Sequence, residues 1–113
     1  MTPTNKDRAE HYIWGDACDG WRLLDRSSLS VIEERMPKGT SENTHFHNAA
    51  HQMFYVLDGT LSIKVEGKTR EPMIGDALHI PLQTVHKVMN KSRADVRFLV
   101  ISSPRASDDR VQS

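Results

Sequence analysis

Short alternating runs punctuated by turn residues, with no segment long enough for an amphipathic helix, set the fold class of this chain. Leu61, Ile63 and Val65 alternate with Ser62, Lys64 and Glu66, the period-two pattern of a strand buried on one face. Ser30, Ile32, Glu34 and Met36 alternate with Val31, Glu33 and Arg35, and Phe98, Val100 and Ser102 with Arg97, Leu99 and Ile101. Further strand candidates are Trp21–Asp25, Thr44–His47, Gln52–Leu57, Thr69–Pro72, Ala77–Ile80 and His86–Asn90. Asp58-Gly59 lies between two such runs and signals a hairpin, because both residues tolerate positive φ. Glu66-Gly67 and Gly75-Asp76 mark the next turns. The best helical stretch, Lys6 to Trp14, is short and marginal. The pattern predicts an all-β sandwich or barrel. It places an N-terminal arm over 1–20, a barrel over 21–105 and a C-terminal tail over 106–113, with both ends frayed or laid against a partner subunit.

The chain has 113 residues, enough for one core and not two. Fifteen Lys and Arg balance fifteen Asp and Glu, which argues against a nucleic-acid surface or a polybasic membrane anchor, since both need excess positive charge. No apolar run approaches the ~18 residues of a membrane span, and the first residues lack a signal peptide's apolar stretch. One cysteine, Cys18, excludes an internal disulfide and a multi-cysteine zinc site. The expectation is a cytoplasmic protein that binds neither nucleic acid nor membrane.

Six histidines stand out, three of them between residues 45 and 51. His45 and His47 are two apart, so on an extended strand both imidazoles point to one face. Gln52, Phe54 and Val56 share one face of the next strand and His51, Met53, Tyr55 and Leu57 the other. His51 and Gln52 therefore cannot both reach one ion without a bulge. A metal site can be assembled from His45, His47, a third group at 51 or 52, and His86.

From Gly39 to Asn90 the chain resembles the cupin superfamily. The family's first motif, G-x5-H-x-H-x3-4-E-x6-G, is matched by Gly39, His45, His47 and Gly59, with Gln52 in the glutamate's place. The second, G-x5-P-x-G-x2-H-x3-N, is matched by Gly75, Pro81, His86 and Asn90, with Gln83 in place of its glycine. Eight of the ten specified positions agree, with 15 residues between the motifs. The resemblance implies a double-stranded β-helix, or jelly roll, with one divalent transition metal (Fe, Ni, Mn, Co or Zn) held by His45, His47, Gln52 and His86. It also implies the homodimer common among small cupins, which the apolar outer-face residues Tyr55, Leu57, Leu99 and Ile101 suggest independently.

The departure at Gln52 changes the chemistry. Three neutral imidazoles and a neutral amide leave an ion's +2 charge uncompensated, which weakens metal affinity and strengthens attraction for an anion. Metal-binding cupins with glutamine here include one that helps open unsaturated sugar acids; a decayed site is the alternative. Phe54, Val56, Val88, Phe98 and Val100 share the ligands' parity and are expected to line the pocket. Glu34 has inward parity and is the candidate general acid or base; Glu33 takes that place if the register slips by one. Arg97, Arg105 and Arg110 are candidates for gripping an anion, with surface charge the plainer account. His79 is expected at the surface. Three functions follow: a metal-dependent isomerase or lyase acting on a small oxygen-rich anion, an Fe(II) dioxygenase, or a non-catalytic metal-dependent binding module.

Overall fold

The computed structural model describes all 113 residues and contains eleven strands. They are β1 (Glu10–Trp14), β2 (Cys18–Asp25), β3 (Ser30–Met36), β4 (His45–His47), β5 (His51–Asp58), β6 (Ser62–Val65), β7 (Lys68–Arg70), β8 (Ala77–Ile80), β9 (His86–Met89), β10 (Val96–Ser103) and β11 (Arg110–Gln112). A single 3-10 turn, Ala106–Asp108, precedes β11. No helix is long and apolar enough to cross a membrane. The strands make a six-stranded sheet in the order β1-β2-β3-β10-β5-β8 and a five-stranded sheet in the order β11-β4-β9-β6-β7. All their pairings are antiparallel. This is the all-β double-stranded β-helix, with its core between the two sheets.

Alternation decides which side chains enter that core. In β5, Gln52, Phe54 and Val56 are buried while His51, Met53 and Tyr55 are exposed. In β10, Val96, Phe98, Val100 and Ser102 point inward. Phe54, Val56, Val96, Phe98 and Val100 join Met36, Leu61, Ile63, Ile80, Val88 and Cys18 in the apolar cluster that closes one end of the barrel. The other end stays polar. There the inward positions of β4, β5, β9 and β10 carry His45, His47, Gln52, His86 and Ser102 instead of aliphatic residues.

The two motifs are tied together at their ends. The Gly39 N–H donates to the Asn90 carbonyl at 2.9 Å, and the Asn90 N–H returns a bond to the Thr40 carbonyl at 2.9 Å. The Asn90 amide is buried and fully satisfied: Nδ2 donates to the Met36 and Ala94 carbonyls, and Oδ1 accepts from Ser92. This asparagine therefore holds the fold together and is not part of the site. Gln83, at the second motif's glycine, keeps a glycine-like backbone at φ 58°, and its N–H donates to the His47 carbonyl. The substitution has left the turn's conformation in place.

Three sequence expectations change. Residues 10–14, assigned to an arm, form β1 and pair with β2 from Glu10↔Arg22 to Trp14↔Cys18. The tail supplies β11, which pairs with β4 from Arg110↔His47 to Gln112↔His45. Polar composition concealed both strands, because each is recruited by a neighbour's unpaired edge rather than by its own apolar stripe. Asp58-Gly59 is not a hairpin: β5 and β6 belong to different sheets. Gly59, at φ 82°, carries the chain across between them, where a Cβ would lie 2.8 Å from the Asp95 carbonyl oxygen. The true positive-φ hairpin is Glu66-Gly67 between β6 and β7, with φ of 49° and 85°.

Candidate metal centre

Two strands bring the histidines together. β4 carries His45 and His47 on its inner face, and β9 pairs with it at His45↔His86. One ligand atom from each ring lies within 4.8 Å of those of the others. The ring centroids are 5.0 Å apart for His45 and His47, 4.4 Å for His45 and His86, and 5.9 Å for His47 and His86.

Each ring is oriented through Nδ1. His45 meets the Asn43 carbonyl at 2.9 Å, His86 the Thr84 carbonyl at 2.9 Å, and His47 the Asp109 carboxylate at 3.0 Å. These partners can only accept, so each Nδ1 carries the proton and each Nε2 keeps its lone pair. Burial lowers all three pKa values, that of His45 to about 3, so the imidazoles are neutral and available as ligands at neutral pH.

Gln52 faces the same space as His45 and His47 from β5. Its Nε2 donates to Ser102 Oγ at 3.2 Å, while Oε1 is buried with no hydrogen-bond partner. His86 Nε2 is likewise buried and unpartnered. Two orphaned lone pairs in a group of three imidazoles are costly in a folded protein unless something binds them. Three imidazole nitrogens and one amide oxygen fit a divalent transition ion.

Counting only the direct ligands misses charge placed behind them. Glu42 Oε1 stands 3.7 Å from His45 Nδ1, and Asp109 holds His47. An ion here meets no carboxylate directly, but two lie one residue behind the imidazoles. The attraction for anions inferred from the sequence is thus reduced, not abolished, since field falls with distance. Arg110 lies 3.7 Å from Glu42 Oε2 and opposes it. Burial, offset by Arg110 and the Val88 N–H, raises the Glu42 pKa to about 7.

His45, His47 and Gln52 open onto a cavity of about 330 Å³, with His86 buried behind His45. Its wall includes Ile32, Glu34, Phe54, Val100 and Ser102, and Tyr12, Arg22, Arg105 and Arg110 also line it. Glu34 faces this space with its pKa raised to about 8, first by burial and then by the Glu42 charge. The Tyr12 hydroxyl approaches Glu34 Oε2 at 3.4 Å, and Arg22 stacks on the Tyr12 ring at 4.3 Å. Of the five residues expected to line the pocket, Phe54 and Val100 do so; Val56, Val88 and Phe98 lie deeper, in the apolar cluster. Parity gives the face of a strand but not the depth along it.

His51 points outward, where its Nδ1 pairs with His79 Nε2 at 3.0 Å. Glu33 faces Arg97 at 3.8 Å, so neither enters the cavity. Sequence reasoning missed Tyr12, Arg22, Glu42 and Asp109, all of them outside the ligand spacing or on segments taken as ends. The alternation of Tyr12 and Trp14 with His11 and Ile13 was the one available signal for β1.

The cupin domain model matches residues 32–102. The chain belongs to the cupin family. An uncharacterised protein of Methanocaldococcus jannaschii is 28% identical over 111 residues, covering 94% of this chain and 89% of that protein. Quercetin 2,3-dioxygenase of Bacillus subtilis is 34% identical over 56 residues, half of this cupin but 17% of the dioxygenase. A sugar phosphate isomerase structure from Silicibacter pomeroyi superposes with a TM-score of 0.82 at 22% identity, covering 92% of this chain and 76% of that one. This last likeness is one of fold.

Proposed function

We propose that this cupin is a metal-dependent enzyme of isomerase or lyase type, acting on a small oxygen-rich anion such as a sugar acid, a keto or hydroxy acid, or an enediol. The observation that carries the reading is the meeting of His45, His47 and His86 within 4.8 Å of one another beside a cavity that His45, His47 and Gln52 line, with His86 Nε2 and Gln52 Oε1 buried and unpartnered. His45, His47, Gln52 and His86 would hold one divalent ion of Fe, Ni, Mn, Co or Zn, which supplies Lewis-acid polarisation of a ligand oxygen when bound.

The chain's own residues account for the rest. Glu34, neutral up to about pH 8, holds a proton on its carboxyl inside the cavity and can deliver it to, or recover it from, a carbon or oxygen of the ligand. Arg22, Arg105 and Arg110 in the wall favour an anionic occupant. Phe54, Ile32 and Val100 keep part of the space dry, which strengthens each of these interactions. The polar wall, in which Asp25, Glu34 and Glu42 stand beside the three arginines, favours sugar-acid-like ligands over flat aromatic ones.

A second reading is oxygen chemistry at Fe(II), supported by the 34% identity to quercetin 2,3-dioxygenase over 56 residues. Protein stripped of metal and reloaded with each ion should bind about one ion per chain. His86→Ala should abolish uptake and His51→Ala should leave it intact. No uptake of any of the five ions overturns the metal centre. Oxygen consumption by the iron form with a bound anion would favour the second reading.

We also propose a cytoplasmic homodimer formed through the outer face of the six-stranded sheet. Tyr55 lies opposite Leu99 and Met53 opposite Ile101 on that face, and Met53 and Tyr55 are each 37% exposed. Light scattering should give twice the chain mass of 12.8 kDa; a single-chain mass across micromolar concentrations rejects the dimer.

A further inference from the structure

The Asp109 carboxylate is shared between the candidate metal centre and the turn that leads out of β4. Oδ1 accepts from His47 Nδ1 at 3.0 Å, while Oδ2 accepts from the Ala49 N–H at 2.7 Å and the Ala50 N–H at 2.9 Å. Asp109 immediately precedes β11, whose ladder to β4 begins at Arg110↔His47. Three donors thus converge on one carboxylate, which stands 62 positions from His47 in the chain. Burial opposes its ionisation, but the two backbone N–H groups and His47 outweigh that and hold its pKa below the ordinary value.

His45 and His86 hold their tautomers differently, each through a backbone carbonyl two residues away on its own segment. Of the three imidazoles, only His47 depends on a side chain from elsewhere in the chain. We infer that Asp109 is a positioning residue of the metal centre: it keeps the His47 proton on Nδ1, leaving Nε2 free for the ion, and so makes the C-terminal strand part of the site. The inference rests on the proposed metal centre, but the tautomer it specifies exists without any ion and can be measured separately.

Asp109→Asn separates positioning from simple bracing of the turn. Asparagine offers one acceptor oxygen where aspartate uses two. Two backbone donors compete for it against a single imidazole, so the oxygen should stay with Ala49 and Ala50. The amide NH2 then faces His47 Nδ1 and donates to it, forcing the ring proton onto Nε2, where it occupies the ligand position.

The experiment records imidazole nitrogen NMR spectra of metal-free wild type and Asp109→Asn, followed by zinc titration of both. Wild type should show His47 protonated on Nδ1. The variant should show the proton on Nε2 and bind zinc roughly ten- to a hundredfold more weakly. Wild-type His47 protonated on Nε2 overturns the inference, a result that needs no variant to fold. Weaker zinc binding with His47 still protonated on Nδ1 also overturns it, because the turn alone would then explain the loss. Unchanged zinc affinity with a switched tautomer overturns it as well. A wild type that takes up no zinc yet shows the Nδ1 tautomer removes the metal reading and leaves the tautomer control standing.

Discussion

Gln52 separates this site from a cupin with glutamate at the same position. Its buried Oε1 has no partner and its Nε2 is spent on Ser102, so the amide presents one neutral oxygen to the cavity. Gln52→Glu places a negative charge there, while the Ser102 hydroxyl can turn from acceptor to donor. Metal affinity should rise and affinity for citrate or oxalate should fall, each by about 1–3 kcal/mol, or roughly ten- to a hundredfold. Calorimetric titration of metal and then anion into both proteins checks this. If wild type binds neither and the variant binds metal alone, the site has decayed. No change in metal affinity removes Gln52 from the ligand set.

At the scale of elements, β1 is held by a close contact that polar composition hides. The Tyr12 ring lies against Gly20 of β2, where a Cβ would overlap the ring carbons and the hydroxyl. Glycine there lets the ring lie against β2 and extend its hydroxyl toward Glu34. Gly20→Ala should push the ring away and loosen β1, costing about 1–3 kcal/mol as overpacking does. Chemical denaturation measures the loss, and hydrogen exchange should show it concentrated in residues 10–14. Uniform exchange across the chain would mean that the contact does not secure β1.

For the whole molecule, the buried acids make stability depend on pH. Glu34 has a folded pKa of about 8 against an ordinary 4.5, so the folded chain retains a proton that the unfolded chain has released. Its contribution is complete below about 4.5 and is lost as pH rises through about 8. Glu42, raised to about 7, acts in the same direction. The buried histidines act oppositely: His45, lowered to about 3 from 6.5, contributes stability above 6.5 that is lost as pH falls. Metal-free protein should therefore lose thermal stability between pH 6.5 and 8.5, and Glu34→Gln should flatten that decline. An equal decline in the variant would place the responsible proton elsewhere.

Fold class and the shared face of His45 and His47 were legible because they rest on local periodicity. Alternation sets which face a side chain takes, and the His45–His47 spacing puts two imidazoles on the same one. Family spacing then distinguished Gln52 from His51 where parity had left both open. Depth along a strand was not legible, so Val56, Val88 and Phe98 were assigned to a pocket they lie beneath. Nor was the outer ring of the site: Asp109 reaches His47 across 62 positions, Glu42 stands behind His45, and Tyr12 arrives over Gly20. These contacts have no sequence period. Those of Tyr12 and Asp109 arise only when β1 docks on β2 and β11 on β4. Local pattern dictated which residues turn inward; closure of the two sheets decided which of them meet.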